Sequence, residues 1–172
     1  MDLRSLIRVI PGFPEPGVSF KDITTLLKDP QALRYVVQEM ARHYRDKDID
    51  VITGIESRGF FFSAPLAYEM GLGLVPIRKP GKLPADKLSI QYALEYGTDA
   101  LEIHRDAIVP GQRVLLVDDL LATGGTFSAA VQLIRQLGGI VVGGAFLVEL
   151  ASLGGRKRLG DIDVFSLVVY DD

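Results

Sequence analysis

The sequence predicts an α/β protein built on an open, mostly parallel twisted sheet flanked by helices. Three observations carry that prediction. Short aliphatic runs recur at 51–55, 74–77, 113–117, 140–148 and 163–170, the pattern of strands buried on both faces. Segments with apolar residues at helical spacing lie between several of them. The chain has 172 residues, 48% of them hydrophobic, enough to bury roughly 70% of the unfolded surface around one core without staples.

Residues 3–9 read as a short helix. PGFPEPG at 11–17, with three prolines and two glycines, reads as a stiff, extended loop, a strap or a lid. Asp29 and Pro30 mark a helix start. Leu33, Val36, Val37, Met40, Ala41 and Tyr44 then recur at helical spacing to about Lys47. Residues 51–55, 60–70 and 74–77 form a strand, helix, strand unit, which implies parallel pairing. Pro65 sits awkwardly in that helix, which therefore starts late enough to hold it in the first turn or kinks there. Residues 113–117 are a strand and 126–137 a helix closed by Gly138 and Gly139; 140–148 and 163–170 are strands. The stretch 78–99, RKPGKLPADKLSIQYALEYGTD, breaks the alternation. Its alternating 89–94 and 101–104 patterns read as a β-hairpin flap, and a loop of that length is usually functional or disordered.

Composition removes several classes of function. No cysteine is present, so thiolate catalysis, Cys-ligated metals and thiol switching are excluded. The formal charge of −3, from 19 Lys and Arg against 22 Asp and Glu, speaks against a nucleic-acid binder working by whole-surface attraction. No apolar run reaches the roughly 20 residues of a membrane span. The amino terminus, MDLRSLIRVIPGFPEP, has no signal-peptide apolar block, so the expected location is the cytoplasm.

The most informative segment is VLLVDDLLATGGT at 114–126: an apolar strand, two adjacent carboxylates, then a small polar turn opening a helix. Ligands of open α/β sheets sit at the carboxyl ends of strands, and the amides of a helix start bind anions. Gly124 and Gly125 let backbone close on a phosphate, with Thr123 and Thr126 adding hydroxyls. Asp118 and Asp119 can accept from vicinal hydroxyls or help hold a divalent ion. A phosphorylated sugar satisfies both halves. No Lys follows the glycines as in GxxxxGK[ST], which disfavours nucleoside-triphosphate hydrolysis.

Strand, acid pair and Thr/Gly turn together resemble the signature of the type I phosphoribosyltransferases. FPEPGVSFKDIT at 13–24, GIESRGFFFSAPLA at 54–67, IRKPGKLP at 77–84 and LEYGTDALEIH at 94–104 are similar, in order and spacing, to the adenine phosphoribosyltransferase family over essentially the whole chain. The resemblance implies one phosphoribosyltransferase domain over 1–172, with an N-terminal hood at 1–28 that binds the base and a flexible catalytic flap at 78–99. It implies transfer of a 5-phosphoribosyl group from phosphoribosyl pyrophosphate to N9 of adenine, giving AMP and pyrophosphate. Mg²⁺ is required, held mainly through the substrate with no metal ligand assigned directly to the chain, and a cytoplasmic homodimer is expected.

By the same resemblance, Asp118 and Asp119 hold the ribose hydroxyls, and Ala122, Thr123, Gly124, Gly125 and Thr126 wrap the 5′-phosphate. Glu56, Ser57 and Arg58 cradle pyrophosphate, with a non-proline cis peptide at Glu56-Ser57. Arg78, Lys79 and Lys82 neutralise the leaving group from the flap; Lys87 has no settled role. Glu95 handles the proton of the purine near N7, with Tyr96 beside the sugar. Ser19, Phe20 and Lys21 form the adenine pocket, Phe20 by stacking, with Leu120 and Leu121 opposite. Lys21 stands where many members carry Arg. Two alternatives remain at this stage: a phosphoribosyltransferase for a 6-oxopurine, for which Lys21 is the candidate donor, and a non-catalytic phosphoribosyl-pyrophosphate sensor.

Overall fold

The computed structural model describes residues 1–94 and 96–172. In chain order its elements are β1 (Arg8–Pro11), β2 (Ser19–Asp22), α1 (Thr24–Leu27), α2 (Pro30–Tyr44), β3 (Val51–Ile55), α3 (Phe60–Met70) and β4 (Gly73–Ile77). They continue with β5 (Lys87–Ala93), β6 (Thr98–His104), β7 (Arg113–Leu121), α4 (Gly125–Gln136), β8 (Ile140–Leu150), α5 (Gly155–Arg158) and β9 (Asp163–Tyr170). Strands β4-β3-β7-β8-β9 form a five-stranded sheet whose pairings are all parallel. The hairpins β1–β2 and β5–β6 are separate antiparallel ribbons.

Strand alternation divides the core into two layers. Leu115 and Val117 of β7 join Val36, Met40, Tyr44, Phe62 and Leu66 from α2 and α3 on one face. Val114 and Leu116 face the other way, toward Phe127, Val131 and Ile134 of α4 and Leu101 and Ile103 of β6. In β8, Gly143 and Gly144 face opposite layers. A Cβ on Gly143 would lie 2.4 Å from the Tyr44 ring, and one on Gly144 would lie 2.5 Å from the Phe127 ring.

From β3 the chain steps outward to β4; from β7 it runs the other way through β8 to β9. The strand order thus reverses between β3 and β7, which places a crevice beyond their carboxyl ends.

Several sequence expectations change in detail. Only Arg4–Leu6 forms a 3-10 turn within 3–9, because Arg8 pairs with Asp22 and Val9 with Lys21 in the β1–β2 hairpin. Helix α2 ends at Tyr44, and Asp29 caps it by accepting from the amides of Gln31 and Ala32. Pro65 lies in the interior of α3, which starts at Phe60 regardless. Strand β7 does not stop at Val117: Asp118 pairs with Phe146, and Leu120 and Leu121 with Val148 and Glu149, so both acids belong to the strand. The hairpin runs from Lys87 to His104, later than the expected flap at 78–99.

Asp22 fastens the amino-terminal hairpin. Its carboxylate accepts from Arg8 at 2.9 Å and 2.5 Å and from the Thr24 amide and hydroxyl at 2.9 Å and 2.7 Å. Those bonds, the Thr24 hydroxyl and amide foremost, hold its pKa down at about 2.

Candidate active site

A cavity of about 480 Å³ opens where the strand order reverses. The turn after β3 supplies Glu56, Ser57 and Arg58; the end of β7 and the following turn supply 118–126; Lys79 enters from beyond β4. The Glu56-Ser57 peptide is cis. Gly124 takes φ +84°, a left-handed conformation that favours glycine, and ends the turn where α4 begins. Gly125, Thr126 and Phe127, the first residues of this 12-residue helix, line the cavity, so the positive end of the helix lies at it.

The two acids have different surroundings. Asp119 is buried and its Oδ2 forms an ion pair with Arg58 Nε at 3.0 Å. Asp118 accepts the Asp119 amide at 2.8 Å. Burial, then the neighbouring Asp119 charge, pushes the Asp118 carboxyl well above the usual carboxylate range. The pair is thus poised to take hydroxyl donors or a cation.

Arg58 ties two predicted subsites together. Beyond Asp119, its guanidinium lies 5.6 Å from the centre of the Phe20 ring, and Phe20 packs edge-on against Phe13 at 5.2 Å. Phe20, the expected base platform, is thereby one guanidinium away from the cavity. The Lys21 side chain lies apart from Phe20. Alternation along β2 turns it from Phe20 into the protein, where its Nζ lies 4.2 Å from the centre of the Tyr170 ring, 3.3 Å from Ser19 Oγ and 4.0 Å from Asp172. Its side chain cannot read a base in that position.

A polar chain joins the hairpin to the phosphate turn. The Thr126 hydroxyl donates to the Tyr92 hydroxyl at 3.3 Å, which donates to Asp99 at 3.2 Å, and Asp99 also accepts the Lys79 ammonium. Asp99 holds the pKa of Lys79 above the ordinary lysine value, against the opposing effect of burial. Arg78 is held off the cavity wall by Glu56, at 3.2 Å and 3.4 Å; Glu56 also accepts the Lys79 amide at 2.8 Å. Lys82 is exposed, as is Tyr96. Neither lines the cavity, nor do Ser19, Phe20 and Lys21. Glu95 lies outside the described residues.

The chain matches a family model described as "Phosphoribosyl transferase domain" over residues 22–172. It is 59% identical over 170 residues to an adenine phosphoribosyltransferase of Solibacter usitatus, covering 99% of this chain and 98% of that one. The chain belongs to the adenine phosphoribosyltransferase family. It is therefore a pentosyltransferase. A crystal structure of an adenine phosphoribosyltransferase from Thermoanaerobacter pseudethanolicus is 53% identical and superposes with a TM-score of 0.95 over 98% of each chain. One from Saccharomyces cerevisiae, complexed with D-2,5-dideoxy-2,5-imino-altritol 1,6-bisphosphate and adenine, is 37% identical with a TM-score of 0.91 over 96% of each chain.

Sequence reasoning passed over Tyr92, Asp99 and the α5 turn. A Cβ on Gly155, the first residue of α5, would fall 2.4 Å from the Ala122 carbonyl oxygen, so α5 lies directly against the phosphate turn. For Tyr92 the available signal was its place in the alternating hairpin pattern; for α5 it was the small, basic run GGRKR.

Proposed function

We propose that this member of the family transfers the 5-phosphoribosyl group of phosphoribosyl pyrophosphate to N9 of adenine, forming AMP and pyrophosphate. The observation that carries the reading is the single cavity in which the Asp118–Asp119 pair, the 122–126 turn, the 56–58 turn and Lys79 converge. The amides and hydroxyls of the turn bind the 5′-phosphate at the positive end of α4. The paired carboxylates accept from the ribose hydroxyls and stabilise positive charge developing at C1. Lys79, which lines the cavity, neutralises departing pyrophosphate together with Arg78 and Lys82, which lie outside the cavity lining and add positive charge beside it. Glu95 manages the purine proton near N7, and Phe20 with the β2 backbone holds the base opposite Leu120 and Leu121.

Two adjacent carboxylates, with no further His, Cys or acid near enough to complete a cage among the described residues, suit Mg²⁺. That ion takes one or two protein carboxylates and otherwise substrate oxygens and water. When bound, it supplies charge neutralisation to the phosphoribosyl pyrophosphate. A homodimer accompanies the assignment: Phe61 and Tyr68, seven residues apart on α3, and Leu74 on the edge strand β4 expose apolar surface suited to a second copy. No helix among the described residues is long and apolar enough to cross a membrane, and the cytoplasm is the proposed location.

The test is AMP formation from phosphoribosyl pyrophosphate and Mg²⁺ with adenine, run beside hypoxanthine, guanine and xanthine. Turnover with adenine alone is expected, since Lys21, the candidate donor for a 6-oxo group, is packed on Tyr170. Turnover with an oxopurine would overturn the base assignment. Binding of phosphoribosyl pyrophosphate without turnover on any base would indicate a sensor.

A further inference from the structure

After β8 the chain passes through Gly154 into the single helical turn α5, whose sequence GRKR carries three successive cations. This turn is docked backbone to backbone on the phosphate turn. A Cβ on Gly124 would meet the Gly155 carbonyl oxygen at 3.1 Å, and a Cβ on Gly155 would meet Leu121 Cδ1 at 2.8 Å. The first cation is committed to structure: Arg156 bonds both Glu149 oxygens, at 3.0 Å and 2.6 Å, and the Val164 carbonyl at 2.8 Å. Arg158 is used differently. Its Nη1 lies 3.6 Å from where a Cβ on Gly125 would stand, and its Cδ lies 3.5 Å from the corresponding point on Gly124. No carboxylate among the described residues pairs with it within 4.0 Å, whereas Arg8, Arg58, Arg78 and Arg156 are each neutralised by one.

We infer that Arg158 is a positioning cation for the sugar 5′-phosphate, acting from outside the cavity across the Gly124-Gly125 turn. The inference rests on the phosphoribosyl reading of that turn. Because the residues between guanidinium and cavity are glycines, only one thickness of backbone separates an uncompensated positive charge from the anion site. The chemistry selected is a phosphate monoester at the 5′ end, not the pyrophosphate, which the proposed function assigns to the 56–58 turn and Lys79 of the same cavity. A charge acting across that distance in partly exposed surroundings is expected to change anion affinity roughly three- to tenfold, and less at high salt.

The experiment uses the full chain and the variants Arg158→Gln and Arg158→Lys. Ribose 5-phosphate and pyrophosphate are titrated separately by calorimetry, and KM for phosphoribosyl pyrophosphate is measured at saturating adenine, each at low and high salt. Arg158→Gln should weaken ribose 5-phosphate binding and raise that KM by about three- to tenfold, with the gap narrowing at high salt. Pyrophosphate binding and kcat should move much less, and Arg158→Lys should restore most of the loss. Unchanged ribose 5-phosphate binding in Arg158→Gln, an equal loss for pyrophosphate, or a lysine variant as impaired as the glutamine one would each overturn the inference. A parent protein that binds ribose 5-phosphate yet makes no AMP would overturn the proposed reaction instead, leaving the calorimetric comparison at Arg158 intact.

Discussion

Gly155→Ala tests whether the phosphate turn is shaped by the turn of helix behind it. The added methyl would stand 2.4 Å from the Ala122 carbonyl oxygen and 3.0 Å from Leu121 Cγ. Restoring ordinary contact at 3.4 Å requires backbone to withdraw by about 1 Å. Leu121 is buried and cannot simply rotate into solvent, so the displacement falls on the turn or on α5. Overpacking of this kind costs about 1–3 kcal/mol, which for a chain of this length lowers the melting temperature by about 2–12 °C. The larger effect is on function. A shift of about 1 Å in groups that position a substrate costs as much as 100-fold in rate, so kcat/KM for phosphoribosyl pyrophosphate should fall by roughly 10- to 100-fold. Steady-state kinetics with varied phosphoribosyl pyrophosphate, beside thermal melts of parent and variant, make the measurement. A Gly155→Ala protein with the parent's melting temperature and the parent's KM would show that the contact is not a constraint.

Asp119→Asn removes the carboxylate shared by Arg58 and the sugar site, and about 2.7 kcal/mol lost from charge-assisted hydrogen bonds corresponds to a roughly 100-fold fall in kcat/KM for phosphoribosyl pyrophosphate; near-normal kinetics would remove Asp119 from the site. Tyr92→Phe keeps the ring but cuts the chain from Thr126 to Asp99, and losing bonds of 3.2 Å and 3.3 Å should raise the same KM by about three- to fivefold; an unchanged KM would make that chain incidental. Asp22 gives a pH signature. Its folded pKa of about 2 lies below the ordinary 3.8, so in that window the unfolded chain binds the proton first and stability falls as pH drops. Urea midpoints measured from pH 5 down to pH 2 should therefore decline less steeply in Asp22→Asn than in the parent, and parallel curves would remove Asp22 from the acid response.

The central elements were legible because their physics is local. Residues 51–55 and 163–170 are strands, and 60–70 a helix, with the bounds their patterns announce. The β1–β2 hairpin is hidden because its strands have four residues each, β1 is mostly exposed, and β2 buries the polar Lys21 and Asp22 instead of apolar residues. In β7 the apolar pattern stops at Asp118, whereas pairing with β8 continues to Leu121, so the last residues of the strand carry no local signal. At the site, the 56–58 and 118–126 segments could be found from strand ends and glycine turns. The link from Phe20 through Arg58 to Asp119 could not, since it joins three segments far apart in sequence. What Lys21 meets on the inner face of β2, the distant Tyr170, is likewise a contact no local pattern reports.

The paired glycines of β8 have a consequence for how change at the back of the molecule reaches the substrate. One aromatic ring is pressed on each side of a bare strand, 2.4 Å and 2.5 Å from where side chains would begin, so that only backbone separates Tyr44 of α2 from Phe127 of α4. Tyr44 and Phe127 act as opposed struts. A smaller residue at Tyr44, which does not line the cavity, would let the strand settle toward α2 and draw Phe127, two residues into the helix beyond Gly125, away from its seat. Residues on the far face are therefore bound by the demands of phosphate recognition, and substitutions that adapt the protein to a new temperature would have to conserve the thickness of this one strand.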